Sequence, residues 1–345
     1  MPFIVRTLMT VVRVPKRTVV AVVIAFILGS STIAYEIEPS TFQTWFNALY
    51  WVMTTMTTVG YGDFYTTTIL GKAFSIFMYI FGVALLSLIF GKVVDSINTI
   101  YKHWEAGKLN FQGKNHIIII NWSKKAQYAI DEILAFSPSS HIVIIDELSK
   151  HPLADREGIH FVAGDPSSEE VLAKAMIQEA RAVIIFADTR IDEPALMDGK
   201  TLLIASSIEH LHPHVHTTVE ITQDKNIKNF THTQVNEFVL SHDAVSRLAV
   251  RSALQQGGPE IINQLISREV GDDIYEIPVR SEWKTYRDAF QGILECGATL
   301  LSDRGDLGIN RKLDQPIPSD AKLYVVSDEA TYQKMTYESR IITKK

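Results

Sequence analysis

The sequence predicts a membrane α-helical unit of two spans, then an α/β Rossmann-like domain and a small β-rich C-terminal lobe. Three observations carry this: two uncharged apolar runs of 18 residues, a short aromatic segment between them, and, from His116 onward, short apolar strands alternating with amphipathic helices. Over 345 residues the net charge is −6 and mean hydropathy is +0.08, averages that describe neither half. Residues 1–98 are strongly apolar, whereas 99–345 mix apolar and charged runs as a globular domain does. The slight acidity argues against a nucleic-acid binder, which needs basic surface. One cysteine, Cys296, allows no intrachain disulfide and fits a reducing compartment.

The spans come first. Thr18–Tyr35 (TVVAVVIAFILGSSTIAY) and Ala73–Phe90 (AFSIFMYIFGVALLSLIF) contain no charge. At 1.5 Å per helical residue, each crosses a hydrocarbon core once a few flanking residues are added. The first run is too long for a cleaved signal peptide, and no small-x-small site leads from it into a secreted domain. Arg6, Arg13, Lys16 and Arg17 precede it; Lys92, Lys102, Lys108 and Lys114 follow the second run. The segment between holds Glu36, Glu38 and Asp63 against Lys72 alone. Positive-inside reasoning places both termini in the cytoplasm of a plasma-membrane protein. No span carries Arg or Lys at every third position, so no Arg-rich voltage sensor is expected.

Between the spans, STFQTWFNALYWVMTTMTTVGYGD (40–63) begins amphipathic and aromatic, too short to cross a bilayer. It ends in Thr58-Val59-Gly60-Tyr61-Gly62-Asp63. TVGYGD resembles the selectivity-filter sequence of potassium channels, and the two-span layout resembles their simplest pore-forming members. Such a filter replaces the hydration shell of K+ with carbonyl oxygens. Turning successive carbonyls the same way needs backbone angles that alternate in handedness, and Gly60 and Gly62 reach positive φ cheaply. The resemblance implies that Thr58, Val59, Gly60 and Tyr61 supply carbonyls around Gly62, with the Thr58 hydroxyl as a further ligand. It also implies that Tyr61 packs against the pore helix and that the Trp51 indole donates to Asp63. Tyr65, two positions past Asp63, falls where family members with an aromatic bind external tetraethylammonium. Gly82, halfway along the second span, is expected as a gating hinge, with close packing against the pore helix as the simpler alternative.

From His116 the strands read 116–121, 141–146, 160–164, 182–187, 216–221 and 237–240. Helices are expected at 126–136, 168–175, 195–211 and 242–256. Apolar strands separated by helices specify a parallel, doubly wound sheet with right-handed crossovers. AGDPSSEEVLAKAMIQEARAVIIFAD (163–188) resembles an RCK domain, the regulator of potassium conductance, in the layout of the calcium-gated MthK type. Residues 274–328 look like that family's small C-terminal lobe. The domains are read as 1–98 for the pore (spans about 18–36 and 69–94, pore helix and filter 41–63), 99–114 for a linker, 115–256 for the Rossmann-like lobe and 257–345 for the crossover and C-terminal lobe.

Two gating ligands stay open. A nucleotide would use the turn after the first strand, but Asn121-Trp122-Ser123-Lys124-Lys125-Ala126 has no glycine where G-x-G-x-x-G is expected. Asn121, Ser123, Asp146 and Asp165 are the nucleotide candidates; in the plainer alternative Ser123 caps the following helix. Calcium needs converging hard oxygens. The MthK-type positions correspond to Phe186, Glu220 and Thr222, so Glu220 alone is acidic there, with Asp188, Asp192 and Glu193 nearby. His210, His212, His214 and His216 alternate into a strand, a weak metal or pH motif that a solvated loop explains as well.

The resemblance implies a homotetramer around one filter and pairwise clasping of RCK domains, through 242–268, into a gating ring. A membrane-anchored nucleotide-binding redox sensor would leave TVGYGD idle and shows no catalytic constellation. A regulatory subunit of a potassium transporter would lack its own filter.

Overall fold

The computed structural model describes residues 15–254, 257–266 and 271–342. Arg6 and Arg13, and the end of the expected crossover (Gln256, Arg268), lie outside them. The chain divides into two units, Met1–His103 and Trp104–Lys345.

In the first unit, helix α1 (Lys16–Ile37) is followed by a short helix α2 (Pro39–Phe42), helix α3 (Trp45–Met56) and the 37-residue helix α4 (Ile69–Glu105). Segments Arg17–Ile37 and Ile69–Glu105 are long and apolar enough to cross a membrane. Large apolar side chains stay exposed along both, among them Val20, Ile24 and Leu28 on α1 and Phe77, Ile80 and Phe81 on α4. A soluble core helix would have buried them. Where α1, α3 and α4 do meet, Ala34, Phe42, Ala48, Trp51, Val52 and Met78 form a small core. Thr44 starts α3 by accepting the Asn47 N–H at 3.2 Å.

Glu38, just past α1, is nearly fully buried at 3% exposure. Its carboxylate accepts the Thr67 N–H at 3.0 Å, the Thr68 N–H at 2.8 Å and the Thr68 hydroxyl at 2.6 Å. The Thr41 hydroxyl adds a bond at 2.8 Å. An acid at the amino end of α4 also meets the positive pole of that helix. Burial alone would raise its pKa, yet these donors hold it at about 2. Glu38 thus ties the end of α1 to the start of α4.

The second unit holds a six-stranded, all-parallel sheet of β1 (His116–Ile120), β2 (Ile142–Asp146), β3 (Ile159–Ala163), β4 (Ala180–Ile185), β5 (His216–Ile221) and β6 (Glu237–Leu240). Its order is β3-β2-β1-β4-β5-β6, the doubly wound arrangement with a reversal between β1 and β4. Helices α5 (Lys124–Phe136), α6 (Glu169–Lys174) and α7 (Pro194–Leu211) form the connections. Both faces are covered: Ile118, Ile120, Val183, Ile185 and Val219 pack on one side, Ile119, Ile142, Ile144 and Phe161 on the other. That is why these strands read as continuous apolar runs.

Helices α8 (Ser241–Leu254) and α9 (Gly258–Ile266) follow, with no residue of either buried. The C-terminal lobe is an antiparallel sheet, β7 (Asp273–Ile277), β9 (Leu323–Ser327) and β8 (Thr299–Asp303) in that spatial order, with α10 (Tyr286–Glu295) and α11 (Glu329–Ile342). Its core includes Tyr286, whose hydroxyl donates to Asp303 at 2.6 Å.

Candidate functional site: the filter loop and the sheet crevice

Helix α3 ends at Met56, and the chain turns upward through bonds that Thr54 and Thr55 carbonyls accept. Val59 N–H reaches Thr54 O at 2.9 Å, Gly60 N–H reaches it at 3.1 Å, and Thr58 N–H reaches Thr55 O at 3.0 Å. Beyond this anchor, φ is +63° at Thr58, +54° at Gly60 and +80° at Gly62, while Val59 and Tyr61 between them stay on the negative side. This is the alternation of handedness that a ladder of like-facing carbonyls demands. Glycine supplies it at two positions without strain. Thr58 does so with a Cβ, a local cost of about 1–2 kcal/mol, and no sequence signal marked it.

The filter's supports differ from expectation at one bond. Asp63 accepts the Tyr50 hydroxyl at 3.3 Å, the donor role the resemblance gave to the Trp51 indole. Trp51 faces inward instead, its ring 5.3 Å from Phe42. Tyr50 and Trp51 are adjacent on a helix and so point about 100° apart; one buries, the other reaches the loop. The Tyr50 ring also stacks nearly parallel to Tyr61, 6.5 Å between centroids, which sets Tyr61 beside α3. Tyr65 is exposed and lines a cleft of about 400 Å³ with Tyr61, Gly62 and Asp63. Gly82 is buried in an uninterrupted α4, where an added Cβ would sit 3.3 Å from the Met56 side chain. The close-packing reading of this glycine therefore describes what the structure contains.

At the carboxyl ends of β1 and β4, where open α/β sheets bind ligands, the candidate residues converge but are already paired. Asn121 has φ +68° and is buried. Its Nδ2 donates to Phe186 O at 2.7 Å, and its buried Oδ1 has no protein partner. Ser123 caps α5 by accepting the Ala126 N–H at 3.3 Å. Asp146, at the end of β2, accepts the Trp122 N–H at 2.7 Å and the Arg190 guanidinium at 2.8 and 3.3 Å. Asp165 is exposed and takes the Ser167 N–H and hydroxyl at 2.9 and 2.8 Å.

The calcium candidates are paired as well. Arg190 Nε donates to Asp188 at 2.7 Å and Lys200 Nζ at 2.8 Å, so the arginine bridges the ends of β2 and β4. Burial pushes the Asp188 pKa up, and the two cations outweigh it, holding the carboxyl far below its ordinary value. Glu220, also buried, receives Lys125 Nζ at 2.5 Å and the Ala187 N–H at 3.0 Å. Desolvation opposes its ionisation, but Lys125 leads the contacts that lower its pKa on balance. Phe186 spends its carbonyl on Asn121, and Thr222 spends its N–H and hydroxyl on Asp198. Among the described residues no group of three His, Cys, Asp or Glu side chains could hold a metal ion, His210–His216 included. Lysines and an arginine stand where a cation ligand set would need open carboxylates.

Sequence reading missed Arg190, Lys200, Lys125, Tyr50 and Glu38. Two signals existed: Lys124 and Lys125 open a helix, against the dipole preference for acids there, and Thr66-Thr67-Thr68 is a run of capping residues before a span.

An alternating filter backbone held between two spans, followed by a doubly wound sheet, defines a potassium-selective pore subunit with a Rossmann-type regulatory domain. Comparison with known proteins agrees. Residues 22–98 match the ion channel family and residues 117–242 the TrkA-N domain family. The chain is 27% identical over 313 residues to the putative potassium channel protein YugO of Bacillus subtilis (strain 168), covering 88% of this chain and 91% of YugO. It is 29% identical over 245 residues to the calcium-gated potassium channel TvoK of Thermoplasma volcanium, covering 70% and 69%. The human SLO3 gating ring superposes with a TM-score of 0.51 at 13% identity, over 64% of this chain and 45% of that one, a likeness of fold alone. The two matches and these relatives make the chain a potassium channel with a ligand-gated TrkA-N, or RCK, domain.

Proposed function

We propose that four copies of this chain close one filter in the plasma membrane, with both termini cytoplasmic, and that paired RCK domains form a ring gated by a nucleotide at the β1/β4 crevice. The Thr58–Gly62 backbone carries the conduction part: four such strands would surround K+ with carbonyls and the Thr58 hydroxyl. Tyr65 would present four rings to external tetraethylammonium, and Gly82 would be the point where α4 bends.

One observation supports a nucleotide over calcium: Arg190 bridging Asp146 and Asp188. Lys125, Arg190 and Lys200 already neutralise the acids that calcium would need, and with Lys124 at the positive end of α5 they repel a further cation. The same cations favour phosphate. A ribose hydroxyl pair at Asp146 would displace Arg190, freeing its guanidinium for the phosphates, while the unpartnered Asn121 Oδ1 would accept from the base or sugar. No backbone approach of the glycine-rich kind is available, so side chains would hold the phosphates. Binding that breaks the bridge changes the link between β2 and β4 and shifts the open population by its differential affinity.

The test is current from the purified protein in a planar bilayer, with ADP, NAD and millimolar calcium added singly to the cytoplasmic face. A potassium-selective current that responds to a nucleotide, and loses that response in Arg190→Ala, supports the reading. A response to calcium alone would replace it with the behaviour TvoK's name describes.

A further inference from the structure

The segment that leaves α4 is fastened to the sheet over four histidines. Three backbone bonds make the joint: His151 N–H to Glu105 O at 2.7 Å, Ala163 N–H to Gly107 O at 2.9 Å, and Phe111 N–H to Lys174 O at 2.9 Å. Gly107 has φ +63°, and a Cβ there would lie 2.5 Å from Ala163 N. The contact is thus as close as backbone permits. His160 Nε2 bonds Leu109 O at 2.9 Å, and aromatic side chains add to the joint. Trp104 lies 4.8 Å from the His151 ring, and Phe111 lies 4.5, 5.5 and 6.5 Å from the rings of His116, His160 and His141.

Two of these imidazoles are buried in a way that only the neutral ring satisfies. His116 is fully buried; its Nε2 bonds Ala175 O at 2.8 Å, and its Nδ1 has no partner. A proton added at Nδ1 would have no acceptor. His151 is 6% exposed; its Nδ1 accepts the Leu153 N–H at 3.1 Å, so Nε2 carries the hydrogen that points to Ile159 O at 3.3 Å. Protonating Nδ1 there would set two donors against each other.

The charged groups around them are few. His116 faces His141 and His160 as potential like charges, and Glu179, which favours the cation but is shared with Lys114 at 3.2 Å. His151 faces His160, with the Glu105–Lys150 pair at 3.7 Å beside it. Burial dominates at both, lowering each pKa below 6.5.

We propose that this joint is a proton-operated latch, in which protonation of His116 and His151 releases Trp104–Phe111, and with it the end of α4, from β3. The sign follows from linkage. The released state takes up protons near the ordinary histidine pKa and the fastened state does not, so fastening is complete above about 6.5 and weakens as pH falls below it. Each proton bound only on release shifts the equilibrium up to about tenfold per pH unit. The inference is independent of which ligand occupies the crevice.

Hydrogen exchange on the full-length protein tests it, with rates corrected for intrinsic pH dependence. Between pH 7.5 and 5.5, the amides of Phe111, His151 and Ala163 should lose protection by between tenfold and about 100-fold, with those of β1 unchanged. The double variant His116→Gln/His151→Gln should abolish the difference. Unchanged protection in the wild type, or an intact acid response in the double variant, overturns the proposal. Should the double variant fail to fold, Gly107→Ala decides: it releases the joint at every pH, so its exchange at Phe111, His151 and Ala163 should not change between pH 7.5 and 5.5. An acid response in Gly107→Ala as large as that of the wild type overturns the latch equally.

Discussion

The filter loop and the sheet crevice solve the problem of holding oxygens in opposite ways. The filter uses backbone: its key dihedrals are set at Thr58, Gly60 and Gly62, and its side chains serve as outer supports. The crevice uses side-chain charge: Asp146, Asp188 and Glu220 are held by Arg190, Lys200 and Lys125. A backbone device tolerates no change of residue class at its glycines but is indifferent to pH and salt. A charge device accepts substitutions of shape but answers to every change in ionisation. Variants in the two regions should therefore fail differently.

The largest effect is expected in the filter. Gly60→Ala places a Cβ on a residue at φ +54°, costing about 1–2 kcal/mol per chain and about four times that in the four-chain ring proposed above. We expect loss of potassium-selective current at any pH or ionic strength, with the fold of residues 104–345 unaltered by circular dichroism. A Gly60→Ala channel that still selects K+ over Na+ would break the backbone account.

Lys125→Met is the matching break in the crevice. It leaves Glu220, 4% exposed, without its cation, a loss of about 3 kcal/mol discounted by half because Lys125 itself is half exposed. The melting temperature of the full-length protein should fall by several degrees at pH 7.5, and recover in part as pH drops and Glu220 takes a proton. The sign is opposite in the parent. There the depressed Glu220 and Asp188 values contribute stability that is present above the carboxylate range and is lost as pH falls through it.

How much of this contrast was visible in sequence follows from the same physics. A backbone device constrains residue type at consecutive positions, so TVGYGD was legible as a string, and so were the strands, whose burial on both faces forces continuous apolar runs. A charge network constrains only proximity in space. Lys125 and Glu220 are 95 positions apart, and Asp146 and Arg190 are 44 apart; no local pattern joins them. The sequence showed Asp146 and Glu220 as open acids because their cations sit on other elements. It likewise assigned the Asp63 bond to Trp51, since the helical phase that turns Tyr50 to the loop and Trp51 to the core depends on where α3 begins.

Between these extremes stands Glu38, a charge that serves the pore. Glu38→Gln keeps the shape but replaces a charged acceptor with a neutral one facing two N–H groups and three hydroxyls. A cost of about 2 kcal/mol follows. Because its pKa is lowered from 4.5 to about 2, the parent keeps this tie above about 4.5 and loses it as pH falls from there toward 2. The variant should behave at neutral pH as the parent does in acid, with shorter openings. Identical open times in both, from pH 7 to pH 4, would remove Glu38 from the filter's support.

The smallest effect sharpens the comparison most. Tyr50→Phe removes a single hydroxyl, the one that donates to Asp63 at 3.3 Å, and retains the ring that stacks on Tyr61. The bond is long and exposed, so its contribution is small. Selectivity should survive, because the alternating backbone is fixed by the Thr54 and Thr55 carbonyls below. Only the persistence of conduction should shorten, by a factor of about two to five, as the outer loop loosens. Trp51→Phe, which keeps the buried ring and loses an indole N–H that does not reach Asp63, should leave persistence unchanged. If the two variants exchange these outcomes, Trp51 is the residue that holds Asp63 in the working channel, and the support of the filter depends on contacts beyond a single chain.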